Sequence, residues 1–112
     1  MARSSPTSPG GAATDRHAAR LADLRRVVFD SVAATDRAVR AAAASGAALP
    51  EPAGSYAAMV RNASYRITGA DLAGLHAAGL SDDAVFEITI AAAVGAALRS
   101  LDAGMRAVRE QA

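Results

Sequence analysis

The amino-acid sequence predicts an all-α fold with about five helices. Alanine, which has the highest intrinsic helix propensity, is the commonest residue in the chain. Aromatic residues make up only 4% of the chain, and the β-branched or aromatic runs that favour strands are short. Glu87 is the only charged residue between Asp83 and Arg99. Because this segment is apolar on nearly every side, we expect it to be buried among other helices.

The 112-residue chain is predicted to form one domain. Residues 1–13 are rich in Ser, Pro and Gly and are predicted to be a disordered tail, which leaves residues 14–112 for a single helical domain. Alanine buries little apolar area per residue, so a monomer of this size would be marginally stable. We therefore expect the chain to associate with copies of itself.

The composition argues against several functional classes. The chain has no cysteine, which excludes disulfides, thiolate metal sites and thiol redox catalysis. Its twelve basic residues are dispersed and balanced by eleven carboxylates, so nucleic acid is not expected as a partner. The spacing of His, Asp and Glu fits no metal site, and no cofactor is expected. Without an apolar signal core or a window of ~20 apolar residues, the chain is predicted to be cytoplasmic, with no membrane partner.

The first two helices are predicted from cap residues and apolar spacing. Thr14 can act as an N-cap, and leucines and valines at three- and four-residue intervals continue the helix towards Val32. Thr35 followed by Asp36 predicts the N-cap of a second, alanine-rich helix. That helix is expected to end near Gly46, because glycine tolerates the left-handed conformation of a C′ residue.

The third and fourth helices are predicted on either side of a polar break. The third runs from about Pro52 to Arg66 and has one apolar face. Thr68 as N-cap and Asp71 at position N3 have the spacing of a capping box at the start of the fourth helix. This short helix is expected to stop at Gly79 in a Schellman turn.

The fifth helix is predicted to be the longest. Ser81 can cap its first turn, and Asp82 and Asp83 lie where negative charge stabilises the positive end of the helix dipole. Its second half has apolar residues at alternating intervals of four and three, which is typical of a helix that packs against another helix. These residues are Val94, Leu98, Leu101, Met105 and Val108.

Two stretches of this sequence resemble a known protein family. The segment Gly79–Glu87, followed by Ala91–Ala97 and Arg99, is similar to the C-terminal half of the carboxymuconolactone decarboxylase and alkylhydroperoxidase AhpD superfamily. The similarity extends back through residues 50–65. The resemblance implies an all-helical subunit that assembles as a trimer, or as a hexamer of trimers, with active sites near subunit contacts.

The sequence departs from that family where its peroxidase branch carries Cys-x-x-Cys-x-x-x-His. Aligned on the Gly-Leu-Ser turn, Ser64 and Ile67 occupy the cysteine positions and Asp71 occupies the histidine position. Glu51 lies about one residue from the position of the family's upstream glutamate. Peroxide reduction through a cysteine pair is therefore excluded. The decarboxylase branch needs no thiol, but its catalytic histidine has no counterpart in this chain.

Glu87 is the first candidate for acid or base chemistry. Burial in an apolar segment would raise its pKa and suit it to proton transfer. The alternative is a structural role, in which Glu87 pairs with an arginine of a neighbouring helix or subunit, such as Arg61, Arg66 or Arg99. This structural role is the preferred interpretation.

The remaining candidates are His76, Tyr65 and two arginines. His76 is the only histidine predicted within the ordered core and could transfer a proton. Tyr65 could donate a hydrogen bond to a substrate carbonyl, and Arg61 or Arg66 could bind a carboxylate. Each of these side chains is also an ordinary occupant of a helix surface or core, and that interpretation is preferred.

The sequence leaves open whether the chain catalyses a reaction. The preferred hypothesis is an AhpD-like protein without redox cysteines that serves as a scaffold, binding or accessory homo-oligomer. The alternative is a cofactor-free acid/base enzyme, decarboxylase- or isomerase-like, that acts on a small organic acid or lactone at a pocket between subunits. A third hypothesis makes the chain the partner of a cysteine-bearing homologue.

Overall fold

The computed structural model describes residues 9–111 of the chain, and the side chains of residues 15–111. Five α-helices are present in this part: α1 (Pro9–Arg25), α2 (Arg37–Ser45), α3 (Ala53–Ala63), α4 (Gly69–Ala77) and α5 (Asp82–Gln111). A π-helical turn, Arg26–Asp30, follows α1, and a 3-10 turn, Ser64–Arg66, follows α3. No strand occurs between residues 9 and 111, so the predicted all-α class and the number of helices are confirmed.

The first helix differs from its predicted bounds at both ends. It begins at Pro9 instead of after Thr14, so residues 9–13 of the predicted tail are helical. Residues 1–8 of that predicted tail lie outside the described residues. At its other end the α-helix stops at Arg25, and the π-helical turn leads to Ser31, which has extended backbone angles. Proline suits this helix start, because the missing N–H has no partner in a first turn.

The caps of α4 agree closely with the prediction. The Asp71 carboxylate accepts a hydrogen bond of 2.8 Å from the Thr68 amide, and Thr68 caps the Asp71 amide in return. At the other end Gly79 adopts a φ of 97°, and the Leu80 amide donates to the Leu75 carbonyl at 3.1 Å. This bond spans the turn as in a Schellman motif.

The start of α5 follows directly from this turn. The Ser81 hydroxyl accepts a hydrogen bond of 3.1 Å from the Ala84 amide, as predicted for an N-cap. Asp82 and Asp83 occupy the first turn, where the helix dipole favours negative charge. The turn between α4 and α5 is thus specified by residues that lie within a few positions of one another.

The core lies where the first half of α5 packs against α2 and α3. One face of α5 is buried there, and its residues are Val85, Ile88, Ala91, Ala92, Gly95 and Leu98. A Cβ atom at Gly95 would lie 2.7 Å from the Cα of Ala44 on α2. The absence of a side chain at Gly95 therefore permits the close approach of these two helices.

The second half of α5 extends beyond this core. Every residue from Arg99 to Gln111 is exposed. The molecule measures 63 × 32 × 21 Å and has a radius of gyration of 17.9 Å, whereas a compact domain of this length would have one of about 13 Å. A single chain is therefore elongated.

Helix α5 is also long and apolar enough to cross a membrane, judged by length and composition alone. This corrects the expectation that no such window exists. Its most apolar 18-residue window has a mean hydropathy of 1.6, and 28% of that window is buried in the fold. Core helices of soluble proteins also meet this criterion, so the absence of a membrane partner stays a prediction.

Candidate functional site

The segment between the π-helical turn and α2, residues 31–36 (the linker), is bound by Glu87 of α5. The Glu87 carboxylate accepts hydrogen bonds from the amides of Ala34 and Thr35, at 3.0 and 2.8 Å. It also accepts one from the Thr35 hydroxyl at 2.7 Å. Thr35 therefore contacts α5, and the N-cap position of α2 belongs to Asp36. The Glu87 carboxylate thus accepts three hydrogen bonds within the chain, of the roughly four that its two oxygens can accept.

Arg40 of α2 binds the same region from the other side. Only 2% of this residue is exposed, and its guanidinium donates to the Val28 carbonyl at 2.9 Å and to the Ser31 carbonyl. Arg40 thus pairs backbone carbonyls where the π-helical turn ends, while Glu87 pairs backbone amides further along. Together the two charges satisfy backbone groups that have no partner in a regular helix.

The pKa of Glu87 is lowered, opposite to the expectation from the sequence. Burial by itself would raise the pKa of this carboxyl, but the Thr35 hydroxyl, the amides of Ala34 and Thr35, and the positive charge of Arg40 outweigh that effect. The side chain is half-buried and stays ionised at neutral pH. It is therefore poorly suited to donate a proton in this single chain.

Two of the predicted partners of Glu87 bind elsewhere. Arg61 of α3 donates to the Ala43 carbonyl at 2.6 Å, and Arg99 of α5 donates to the Ala44 carbonyl. Both carbonyls lie in the last turn of α2, where the helix dipole favours positive charge. Gly46, with a φ of 86°, closes the same helix end as predicted. Within the single chain, the expected pairing of Glu87 with these arginines is therefore replaced by hydrogen bonds to the backbone.

The other candidate residues lie apart from Glu87. His76, near the end of α4, has its Nε2 atom 2.6 Å from a carboxylate oxygen of Asp82, and both side chains are substantially exposed. Tyr65 is 86% exposed on the 3-10 turn, and Arg66 beside it is also exposed. The structure of one chain brings none of these three side chains to the Glu87 carboxylate.

Three shallow cavities adjoin the linker, and two of them also border α5. The first, of about 400 Å³, lies between the linker, the start of α3 and the α4–α5 turn, and its polar side chains are Thr35, Asp36 and Glu51. The second, of about 280 Å³, lies between the π-helical turn and α5 and is lined by Arg40, Phe86 and Glu87 among others. Neither of these two cavities is lined by His76, Tyr65, Arg61 or Arg66.

The positions aligned with the family's redox motif have structural roles here. Asp71 caps α4, and Ile67 packs at the edge of the core. Hydrogen bonds from the Ser55 side chain and amide hold the pKa of Glu51 below its ordinary value. In the described part of the chain, no three His, Asp or Glu side chains are grouped as metal ligands would be.

Sequence reasoning misses Arg40 and gives Thr35 a different role from the one in the structure. The sequence does contain one indication that Arg40 is structurally important. It is the only charged residue between Ala38 and Ser45, in an alanine-rich helix. A charge in that setting must be either exposed or paired, and here it is buried and hydrogen-bonded. The local sequence predicts Thr35 as a helix cap, and nothing in that local pattern indicates a partner 52 positions away.

A second surface, opposite the buried face of α5, is apolar and open to solvent. We call it the outer face of α5. Phe86 is 63% exposed, Leu101 42% and Val108 62%. Residues three or four apart share one side of a helix, and this spacing is kept along the whole face by Phe86, Ile90, Ala93, Ala97, Leu101, Gly104 and Val108.

Comparison with known proteins gives no match: no family model, no curated protein and no solved structure matches this chain. The resemblance to the AhpD superfamily accordingly rests on the residues quoted for it above. What the chain does has to be inferred from its own geometry.

Proposed function

We propose that the chain is a non-catalytic subunit that assembles with copies of itself and serves as a scaffold, binding or accessory protein. The observation that carries this proposal is the exposed outer face of α5. An apolar surface of this length is unusual on a small monomer and is typical of a protein interface. Its burial in an oligomer would stabilise the fold, at about 25 cal/mol for each Å² of apolar surface.

The hydrogen bonds that the charged side chains form support the proposal that the subunit is not catalytic. Glu87, Arg40, Arg61 and Arg99 all bind backbone groups of the same chain. A side chain whose hydrogen-bonding capacity is used in this way must break those bonds before it can act on a substrate. These charged side chains instead stabilise the packing of one helix against the backbone of another.

The kinship with the AhpD superfamily is part of the same proposal. Its support is the α4–α5 unit, in which Gly79, Leu80 and Ser81 form the turn and the cap that the resemblance relies on. The member proposed here lacks redox cysteines, since the sequence contains none. The role as partner of a cysteine-bearing homologue and the acid/base alternative stay predictions, and the latter requires Glu87, His76 and Tyr65 to meet across subunits.

Light scattering during size-exclusion chromatography tests the proposal. We expect a mass that is a multiple of the 11.2 kDa of one chain, maintained at micromolar concentrations. A stable monomer would contradict the scaffold function. Turnover of a lactone or a small organic acid by the purified oligomer, abolished by His76→Gln, would instead establish the acid/base alternative.

A further inference from the structure

The outer face of α5 is symmetric in sequence position about its central residue, Ala97. Residues 86, 90, 93, 97, 101, 104 and 108 are arranged symmetrically about residue 97, because each one before Ala97 has a counterpart at the same distance after it. Two copies of α5 placed antiparallel, with a two-fold axis at Ala97, therefore bring the face onto itself. An isologous dimer contact needs this self-complementarity.

The sizes of the side chains fit the same arrangement. Across the axis, Ile90 lies level with Gly104 of the second copy, and Ala93 lies level with Leu101. In both of these inner pairs a large side chain meets a small one. Ala97 meets its own copy at the centre, where two small residues let the helices approach closely. Phe86 and Val108 form the outer pair.

The charges of α5 also favour the antiparallel arrangement. Asp82 and Asp83 lie in the first turn, and the last six residues of α5 carry Arg106 and Arg109 against Glu110, a net charge of +1. An antiparallel pair places each acidic end beside the basic end of the other copy, whereas a parallel pair would bring the acidic ends together. Of the charged residues between these ends, Arg99, Asp102 and Arg106 lie off the outer face by helical spacing. Glu87 lies at its edge beside Phe86, where hydrogen bonds to the linker already satisfy the carboxylate.

The neighbouring π-helical turn extends this surface. Val27 is 61% exposed and lines the same cavity as Phe86 and Ile90. In the antiparallel arrangement it would lie beside the C-terminal end of the partner's α5. The contact would therefore involve more than one helix of each copy.

We infer that the outer face of α5 binds the same face of a second copy, antiparallel and centred on Ala97. This inference rests on the proposed scaffold function and adds its contact and symmetry. A two-fold contact occurs in dimers and in hexamers built from two trimers, but not in an isolated trimer. The chain is therefore expected to form assemblies with an even number of subunits.

A pair of arginine substitutions tests the contact. Ala97→Arg places a charge on the two-fold axis, and Ala103→Arg places the same charge on an exposed position off the outer face. We expect Ala97→Arg to lose the two-fold contact and at least half of the native mass in light scattering, while Ala103→Arg keeps that mass. Circular dichroism should show native helix content in both variants.

Cysteine cross-linking tests the register without relying on a disruptive variant, because the native chain has no thiol. Helices about 9–10 Å apart with Cα atoms about 2.3 Å from each axis bring the Cα atoms of the two copies of residue 97 to about 4.4–5.4 Å, within disulfide range. Under mild oxidation Ala97→Cys should cross-link, and Ala103→Cys should not. Ile90→Cys and Gly104→Cys should cross-link when mixed but not alone, whereas a parallel pair would link each with itself.

The experiments distinguish a failure of this inference from a failure of the scaffold function. A native oligomer whose mass is unchanged by Ala97→Arg and that forms no cross-link at residue 97 overturns this inference and leaves the scaffold function standing. A native monomer overturns both. A native monomer that floats with phospholipid vesicles, while the Ala97→Arg variant does not, assigns the face to a lipid surface and also overturns the inference.

Discussion

At the scale of single residues, charged side chains in this protein act mainly on the backbone. The linker and the end of α2 leave amides and carbonyls that no regular helix can pair. Glu87 supplies the acceptor for two of the amides, and Arg40, Arg61 and Arg99 supply donors for the carbonyls. In an alanine-rich chain with few other polar side chains at these helix ends, each of these residues is expected to matter for stability.

Replacement of Glu87 by Ala should therefore destabilise the fold. The amides of Ala34 and Thr35 would lose their acceptor, and hydrogen bonds to a charged group contribute about 1.5–3 kcal/mol. Urea unfolding followed by circular dichroism measures the difference. Glu110→Ala, at an exposed position near the end of α5, is the matched control and should change the free energy of unfolding by less than about 0.5 kcal/mol. Equal effects from the two variants would contradict the role of Glu87.

The stabilisation by Glu87 should also depend on pH. Its pKa is lower in the folded chain than in the unfolded chain, so its contribution is complete above the unfolded pKa and declines as the pH falls through the folded pKa. Native protein and the Glu87→Gln variant should therefore differ most at neutral pH and converge as the pH falls below the ordinary glutamate range and through the lower folded-state pKa. A difference that stays constant from neutral pH into that acid range would show that the carboxylate charge is not involved.

At the scale of helices and turns, the accuracy of the sequence predictions depended on how local the interactions are. The capping box of Thr68 and Asp71, and the Ser81 cap, join residues three positions apart and were predicted correctly. The bond between Thr35 and Glu87 spans 52 positions, and no local pattern reveals it. The residues of the candidate site could likewise be chosen only by residue type. The distances between them depend on how the helices pack, which no local sequence pattern reveals.

The crossing of α2 and α5 gives a test at this scale. Gly95→Ala would place a Cβ 2.7 Å from the backbone of Ala44, and overpacking of this kind costs about 1–3 kcal/mol. Gly74→Ala in α4 is the matched control, because nothing lies within 4 Å of its Cβ position. That substitution should stabilise the protein by about 0.5–1 kcal/mol through helix propensity. Thermal unfolding of both variants would check the opposite signs, and a neutral Gly95→Ala would argue against the close crossing.

At the scale of the whole molecule, the elongated shape separates a packed body from an exposed extension. The body contains the buried face of α5 as far as Leu98, and the extension contains residues 99–111, all exposed. The extension has few contacts with the rest of the chain: Arg99 binds the Ala44 carbonyl, and α1 borders it across a cavity lined by Leu21 and Met105 among others. A helix with so few tertiary contacts is only marginally stable in water. The extension is thus expected to depend on a partner copy for much of its order.

Hydrogen exchange should reveal this division. In the Ala97→Arg variant, the amides of residues 99–111 should exchange faster than those of residues 85–98, because only the latter pack against α2 and α3. In the native oligomer the two segments should be more nearly equal. Mass spectrometry of peptic fragments can measure the rates, and equal rates in the variant would show that the extension is stable by itself.

The two charges that hold the linker respond differently to acid. Of the two, the Glu87 carboxylate is the group that acid can neutralise, and because its pKa is lowered this requires a pH below the ordinary range of a glutamate. Acid of that strength should weaken the attachment of the linker to α5 while leaving the Arg40 hydrogen bonds to the Val28 and Ser31 carbonyls in place. The linker between the first two helices would then be held by the Arg40 hydrogen bonds alone, so it would gain freedom to move without separating from the fold completely.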